Sequence, residues 1–126
     1  MIREVRTGRH QGYDRLVIEF YHGIGELPWH TRWTNEGTTE GEGRTITMPG
    51  NATLTVRLPG MHMPFNSGIT VLTGDQKTAA GVIRGAWIDP PFEAQGQVFI
   101  GIDRQRPYRA YVLDNPVRLV IDVRTT

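Results

Sequence analysis

The segment Ala52-Thr53-Leu54-Thr55-Val56-Arg57-Leu58 alternates apolar and polar side chains without a break. Successive side chains of an extended chain point to opposite faces, so such a run folds as a strand with one apolar and one polar face. The same period of two, rich in β-branched and aromatic residues, recurs at about residues 2–7, 13–22, 29–34, 81–88, 96–102, 108–113 and 117–124. About eight strands follow. A parallel sheet would need crossover helices, and no stretch of this sequence has a convincing helical period. The expected fold is therefore all-β, an antiparallel β-sandwich or partly open barrel of about eight strands.

Breakers with recognisable turn chemistry separate the strands: Gln11-Gly12, Pro49-Gly50-Asn51, Pro59-Gly60, Asp89-Pro90-Pro91 and Asp114-Asn115-Pro116. Two connections are longer. Residues 35–44 are polar and glycine-rich, which predicts a mobile loop. Residues 60–80 include Met61, His62, Met63, Pro64 and Phe65, too apolar for a free linker. That stretch is expected to fold back across an open end of the sheets.

Near the start the chain reads Arg15-Leu16-Val17-Ile18-Glu19-Phe20, and near the end Arg118-Leu119-Val120-Ile121-Asp122-Val123. In each copy Leu and Ile share one strand face while Arg, Val and the acid share the other. The echo predicts two pseudo-twofold related halves from an old duplication, the alternative being coincidence in a β-rich chain.

A chain of 126 residues fits one domain, taken here as residues 1–126. Its net charge of +1, with acids and bases interspersed, gives a weak long-range field and argues against a nucleic-acid partner. Only Lys77 among the 14 basic residues is a lysine, a bias toward the planar guanidinium that GC-rich coding would also produce. With no cysteine, the chain has no disulfide, thiolate metal ligand or cysteine nucleophile. No window approaches the roughly 18 consecutive apolar residues of a membrane span. The opening residues Met1-Ile2-Arg3-Glu4-Val5-Arg6 lack the apolar core of an export signal.

Candidate catalytic groups are sparse. Ser67 is the only serine and sits in Asn66-Ser67-Gly68 rather than a nucleophile elbow. The histidines His10, His22, His30 and His62 show no metal-ligand spacing, and no metal site is expected. The glycine-rich run from Gly37 to Gly43 is acidic and opens no helix, so it cannot cradle a phosphate, and no cofactor is expected. The chain reads as non-enzymatic.

Binding surfaces are easier to place. Trp29 and Trp33 fall in phase on one strand face and His30 and Arg32 on the other. Two in-phase indoles either fill the core or stack on sugar rings. The segment Gly8-Arg9-His10-Gln11-Gly12-Tyr13-Asp14-Arg15 gathers two guanidiniums, an imidazole, a phenol and a carboxylate. It can grip carboxylates through bidentate hydrogen bonds, or Asp14 can pair with a nearby arginine and fix the turn under a Tyr13 lid. The expected ligand-binding residues are Arg9, His10, Tyr13, Asp14, Arg15, Trp29 and Trp33. Residues 103–109 read as a charged, solvated hairpin tip, and Phe92 as a plug over the core.

The segments Gly8 to Phe20, Phe99-Ile100-Gly101-Ile102, Pro107-Tyr108-Arg109-Ala110-Tyr111-Val112-Leu113 and Asn115-Pro116-Val117-Arg118-Leu119-Val120-Ile121-Asp122-Val123 together resemble the AMIN-like domain of actinobacterial exported proteins and lipoproteins. The closing strand is also similar to that of AMIN domains generally, and the likeness runs from about residue 3 to residue 124. The long middle, residues 35–80, departs from the compact AMIN pattern. The resemblance implies a small β-sandwich that localises envelope proteins, such as cell-wall amidases and secretin pores, by binding peptidoglycan. It also implies an extracytoplasmic location, with any signal or lipid anchor lying outside this sequence. The expected partner is cell-wall glycan, peptide stem or an envelope protein. A protein-protein interaction domain of an envelope complex, or a small hydrolase assembled from dispersed His, Asp and Glu residues, are the alternatives.

Overall fold

A computed structural model describes residues 2–21, 28–39, 43–60 and 72–126. Eight long strands carry it: β1 (Ile2–His10), β2 (Tyr13–Phe20), β3 (His30–Thr34), β6 (Ala52–Pro59), β8 (Ile83–Phe92), β9 (Gln95–Ile102), β10 (Tyr108–Leu113) and β11 (Arg118–Arg124). Three two-residue strands complete the set: β4 (Gly37–Thr38), β5 (Thr45–Ile46) and β7 (Gly74–Asp75). Sheet A has the order β1-β2-β11-β10 and sheet B the order β3-β6-β9-β8-β7, while β4 and β5 form a small third ladder. Every pairing is antiparallel. The alternation drives this arrangement, because each long strand has one apolar face to remove from water.

The core lies between sheets A and B. Leu16, Ile18, Phe20, Leu119, Ile121 and Val123 enter from sheet A, and Leu54, Val56, Leu58, Val98, Ile100 and Ile102 from sheet B, all of them buried. Fully burying one such side chain stabilises by roughly 1.5–3 kcal/mol. Removing the alternation from a single strand would therefore be enough to dissolve a marginally stable domain.

The internal echo has a simple geometric expression. Its two copies are the central strands of sheet A, β2 and β11, and they pair with each other. Val17 lies opposite Val120, Leu16 opposite Ile121 and Ile18 opposite Leu119, so a local pseudo-twofold axis passes between the two valines. The echo thus relates two hairpins of one sheet, β1-β2 and β10-β11, rather than the two sheets or two halves of the domain.

Several connections differ from the sequence expectation. Asp89-Pro90-Pro91 does not turn the chain, and β8 runs on to Phe92 across an irregularity between Asp89 and Phe92. Bulges tolerate proline because they leave positions with no ladder N–H to satisfy. The reversal comes at Glu93 and Ala94, both left-handed at φ 48° and 62°, as a two-residue turn between right-twisted strands requires. Phe92, expected as a plug, is 44% exposed. Residues 103–109 are not a hairpin tip. They carry the chain from β9 in sheet B to β10 in sheet A, pinned by Arg106, whose Nε and Nη2 donate to Asp103 at 2.8 and 2.9 Å.

The described part of residues 35–44, expected to be mobile, is instead anchored. Gly37 lies so close to the Phe99 ring that a Cβ there would sit 2.5 Å from the ring edge. From β4 and β5 the chain continues through Met48 and Pro49, which press onto Gly85 and Gly101 of sheet B. Residues 37–39 and 43–49 thus form a strap over the outer face of sheet B. The stretch holding Met61, His62 and Ser67 lies outside the described residues, as does His22.

Candidate functional site

Among the described residues sheet A carries no such strap, and its register orders the outward side chains into rows. At one end His10 faces Tyr13, and Tyr13 faces Arg124. The next row reads Gly8, Arg15, Asp122, Arg109. The third reads Arg6, Val17, Val120, Tyr111, and the last Glu4, Glu19, Arg118, Leu113. Strand alternation alone puts these residues on one face, because Leu16, Ile18, Leu119, Ile121 and Val123 between them point into the core.

The second row is the electrostatic centre. Arg15 Nε donates to Asp122 Oδ1 at 2.7 Å, and Nη2 donates to Asp122 Oδ2 at 3.1 Å and to Tyr111 Oη at 2.9 Å. The Tyr111 hydroxyl in turn donates to Asp122 Oδ2 at 3.0 Å. Burial works against ionisation of Asp122, but hydrogen bonds from Arg15 and Tyr111 outweigh it and hold the carboxyl below its ordinary range. Burial, reinforced by the bond to Asp122, raises the Tyr111 phenol. The bond to Asp122 raises the Arg15 guanidinium against the opposing effect of burial. The pair is therefore a fixed, mutually neutralised platform and not a proton-transfer couple at neutral pH.

Around that platform stand groups with capacity to spare. His10 and Tyr13 stack with ring centroids 4.9 Å apart and planes 4° from parallel. Arg15 lies 5.4 Å from the Tyr13 ring and Arg109 4.9 Å from that of Tyr111. Arg109 and Arg124 are exposed and form no ion pair among the described residues. An open groove of about 530 Å³ runs between Gln11, Tyr13, Tyr108, Arg109, Tyr111 and Arg124. It offers flat aromatic faces beside two unneutralised guanidiniums.

The expected site residues separate along the strands. His10, Tyr13 and Arg15 come together on the outer face. Arg9 is exposed, but its pairing partner is Asp14 and it belongs to the opposite face. Asp14 is buried at the mouth of the sandwich, where Oδ2 accepts the Val82 N–H at 2.8 Å and leaves no room for a side chain at Gly81. It ties sheet A to the turn before β8 rather than pairing with a neighbouring arginine. Trp29 and Trp33 are partly buried against the core. Trp33 meets Tyr108 edge-on at 5.7 Å, and Tyr108 Oη hydrogen-bonds Thr31 Oγ1 at 2.7 Å, closing the side between β3 and β10. The two indoles and the His10–Arg15 cluster do not share a surface.

Arg109, Tyr111, Asp122 and Arg124 were missing from the expected set. The echo carries a signal for Asp122 alone, because antiparallel pairing of the two copies about the valines puts Arg15 opposite Asp122, while Arg109 and Tyr111 lie on β10 outside either copy. Among the described residues no three His, Asp or Glu side chains gather as metal ligands, and there is no helix long and apolar enough to cross a membrane.

Comparison with known proteins agrees with the strand pattern. The family model of the AMIN-like domain matches residues 1–125, essentially the whole chain. No curated protein matches it.

Proposed function

We propose that this chain, which belongs to the AMIN-like domain family, is a non-enzymatic envelope module that binds cell-wall material through the outer face of sheet A. The family is associated with the cell envelope and with cell-wall-related binding, which supports an extracytoplasmic setting. One observation carries the choice of face: Arg109 and Arg124, which form no ion pair among the described residues, share the face of the Tyr13 and Tyr111 rings, beside a platform whose own charges are already satisfied. Peptidoglycan presents sugar rings, whose axial C–H groups pack on aromatic faces, and stem carboxylates, which match guanidinium geometry. In this reading Tyr13, Tyr111 and His10 receive the flat parts of the ligand. Arg109 and Arg124 hold its carboxylates, and Arg15 keeps the platform rigid.

Sedimentation with purified peptidoglycan tests the reading. Wild-type protein is expected to pellet with the polymer, and Arg109→Ala/Arg124→Ala to stay in the supernatant while keeping its melting temperature. Retention should weaken with added salt, because both cations are exposed and screened. Failure of the wild type to pellet removes the cell-wall reading.

A protein partner is the second reading, favoured by Val112 and Leu113, which are 36% and 38% exposed on β10, an edge strand of sheet A. Exposed edges accept an added strand. Copurification of one defined envelope protein, lost on Val112→Lys/Leu113→Lys and without retention on peptidoglycan, selects this reading.

A further inference from the structure

Sheet B has a concavity of its own, beside the strap. It lies between Met48 and Pro49 on one side and residues 75–79 on the other, with Trp87 in its wall, and encloses about 380 Å³. Both sides are fixed by contacts within the protein. Pro49 is seated where Gly101 and Gly85 have no side chains: a Cβ on Gly101 would meet the Pro49 carbonyl at 2.2 Å, and one on Gly85 the Pro49 ring at 3.0 Å. Across from it, Gln76 N donates to Ala86 O at 2.9 Å and Thr78 Oγ1 bonds Thr7 Oγ1 at 2.7 Å. Lys77, left-handed at φ 52°, is locked by its own N–H donating to Asp75 Oδ1 at 2.9 Å. A hollow built this way is present before any ligand arrives.

Its chemistry is two-sided. Met48, Pro49 and Trp87 give an apolar wall, and Lys77, the chain's sole lysine, and Arg84 bring two cations to the rim. One carboxylate, Asp75, stands with them, and one of its oxygens is already engaged by the Lys77 N–H. The Trp87 indole Nε1 is buried with no acceptor among the described residues.

The geometry points to this hollow as a second ligand site, independent of sheet A, that takes a small carboxylate with a compact apolar body. The body packs on Met48, Pro49 and Trp87, and the carboxylate meets Lys77 and Arg84. A free N-acyl amino acid and the carboxyl end of a peptide present the same chemistry. A domain with two such sites on opposite sheets can hold two ligands at once.

Titration of the ¹⁵N-labelled chain with N-acetyl-leucine, with N-acetyl-leucinamide, and with an N-acetylated tripeptide ending in leucine tests the site. The Trp87 indole cross-peak, identified by its loss in Trp87→Phe, is expected to move saturably with both carboxylates. The carboxamide should bind about tenfold more weakly, as should N-acetyl-leucine to Lys77→Gln/Arg84→Gln, the effect of losing one ion-pair contact. Tighter binding of the tripeptide assigns the site to a chain end, and tighter binding of the amino acid to a small molecule. No saturable movement with either carboxylate overturns the inference, and so does an equal response to the carboxamide. Loss of the response in Arg109→Ala/Arg124→Ala also overturns it, because that result would place binding on sheet A.

Discussion

The two outer faces of the sandwich are built from the same alternating strands and end in opposite states. On sheet B, Phe99 points away from the core and is still completely buried, because Gly37 and the strap lie on it. On sheet A, Tyr13 and Arg109 point outward in the same way and meet solvent. An outward side chain is thus a recognition candidate only where no other segment folds onto it. The glycines decide which face is which: Gly37, Gly85 and Gly101 let the strap close on sheet B, and nothing described in the chain closes on sheet A.

That contrast can be broken or sharpened by substitution. The largest effect belongs to Phe99→Ala, which should cost about 3–5 kcal/mol by urea denaturation, the range for a large buried ring. Gly37→Ala should follow at about 1–3 kcal/mol, because the new methyl overlaps the Phe99 ring and must lift the strap or move the ring. A loss well below that range would mean the strap is loosely laid and the two faces are less different than they look.

On the open face, Arg15→Ala removes the charge partner of Asp122 and should cost about 2 kcal/mol, the scale of a hydrogen bond to a charged group. The same pair sets an acid dependence. The folded Asp122 carboxyl titrates below its ordinary value of 3.8, so near and below that pH the unfolded chain binds more protons. The stability the pair supplies is therefore complete above about pH 4 and lost as the pH falls further. Asp122→Asn should flatten the acid limb of a stability profile, leaving the share due to Asp103, whose bond to Arg106 also lowers it. Smallest of all, Tyr13→Ala should shift stability by about 0.5 kcal/mol or less, the usual range for a surface change, while weakening peptidoglycan retention.

Much of the fold was legible because its driving force is local. Period-two alternation is written in consecutive residues, and all eight long strands follow from it. The echo Arg-Leu-Val-Ile-acid was legible too, and its antiparallel pairing gives the Arg15–Asp122 contact. What could not be read depends on contacts between distant segments. The anchoring of Gly37 is set by Phe99, far along the chain, so a glycine-rich stretch read alone looked mobile. Asp89-Pro90-Pro91 looked like a turn because the irregularity that accommodates it is a property of the β8-β9 pairing. In the candidate site, half of the groove comes from β10 and β11, which only tertiary pairing delivers to Tyr13 and Arg15. Asp14 was misjudged by proximity: it adjoins Arg15 in sequence, and strand alternation sends the two to opposite faces.

The most direct test of the account is chemical-shift mapping of the labelled chain with soluble peptidoglycan fragments. The account predicts saturable shifts concentrated on His10, Tyr13, Arg109, Tyr111 and Arg124, with the amides beneath the strap on β6 and β9 unmoved. Shifts centred on sheet B with sheet A silent would contradict it.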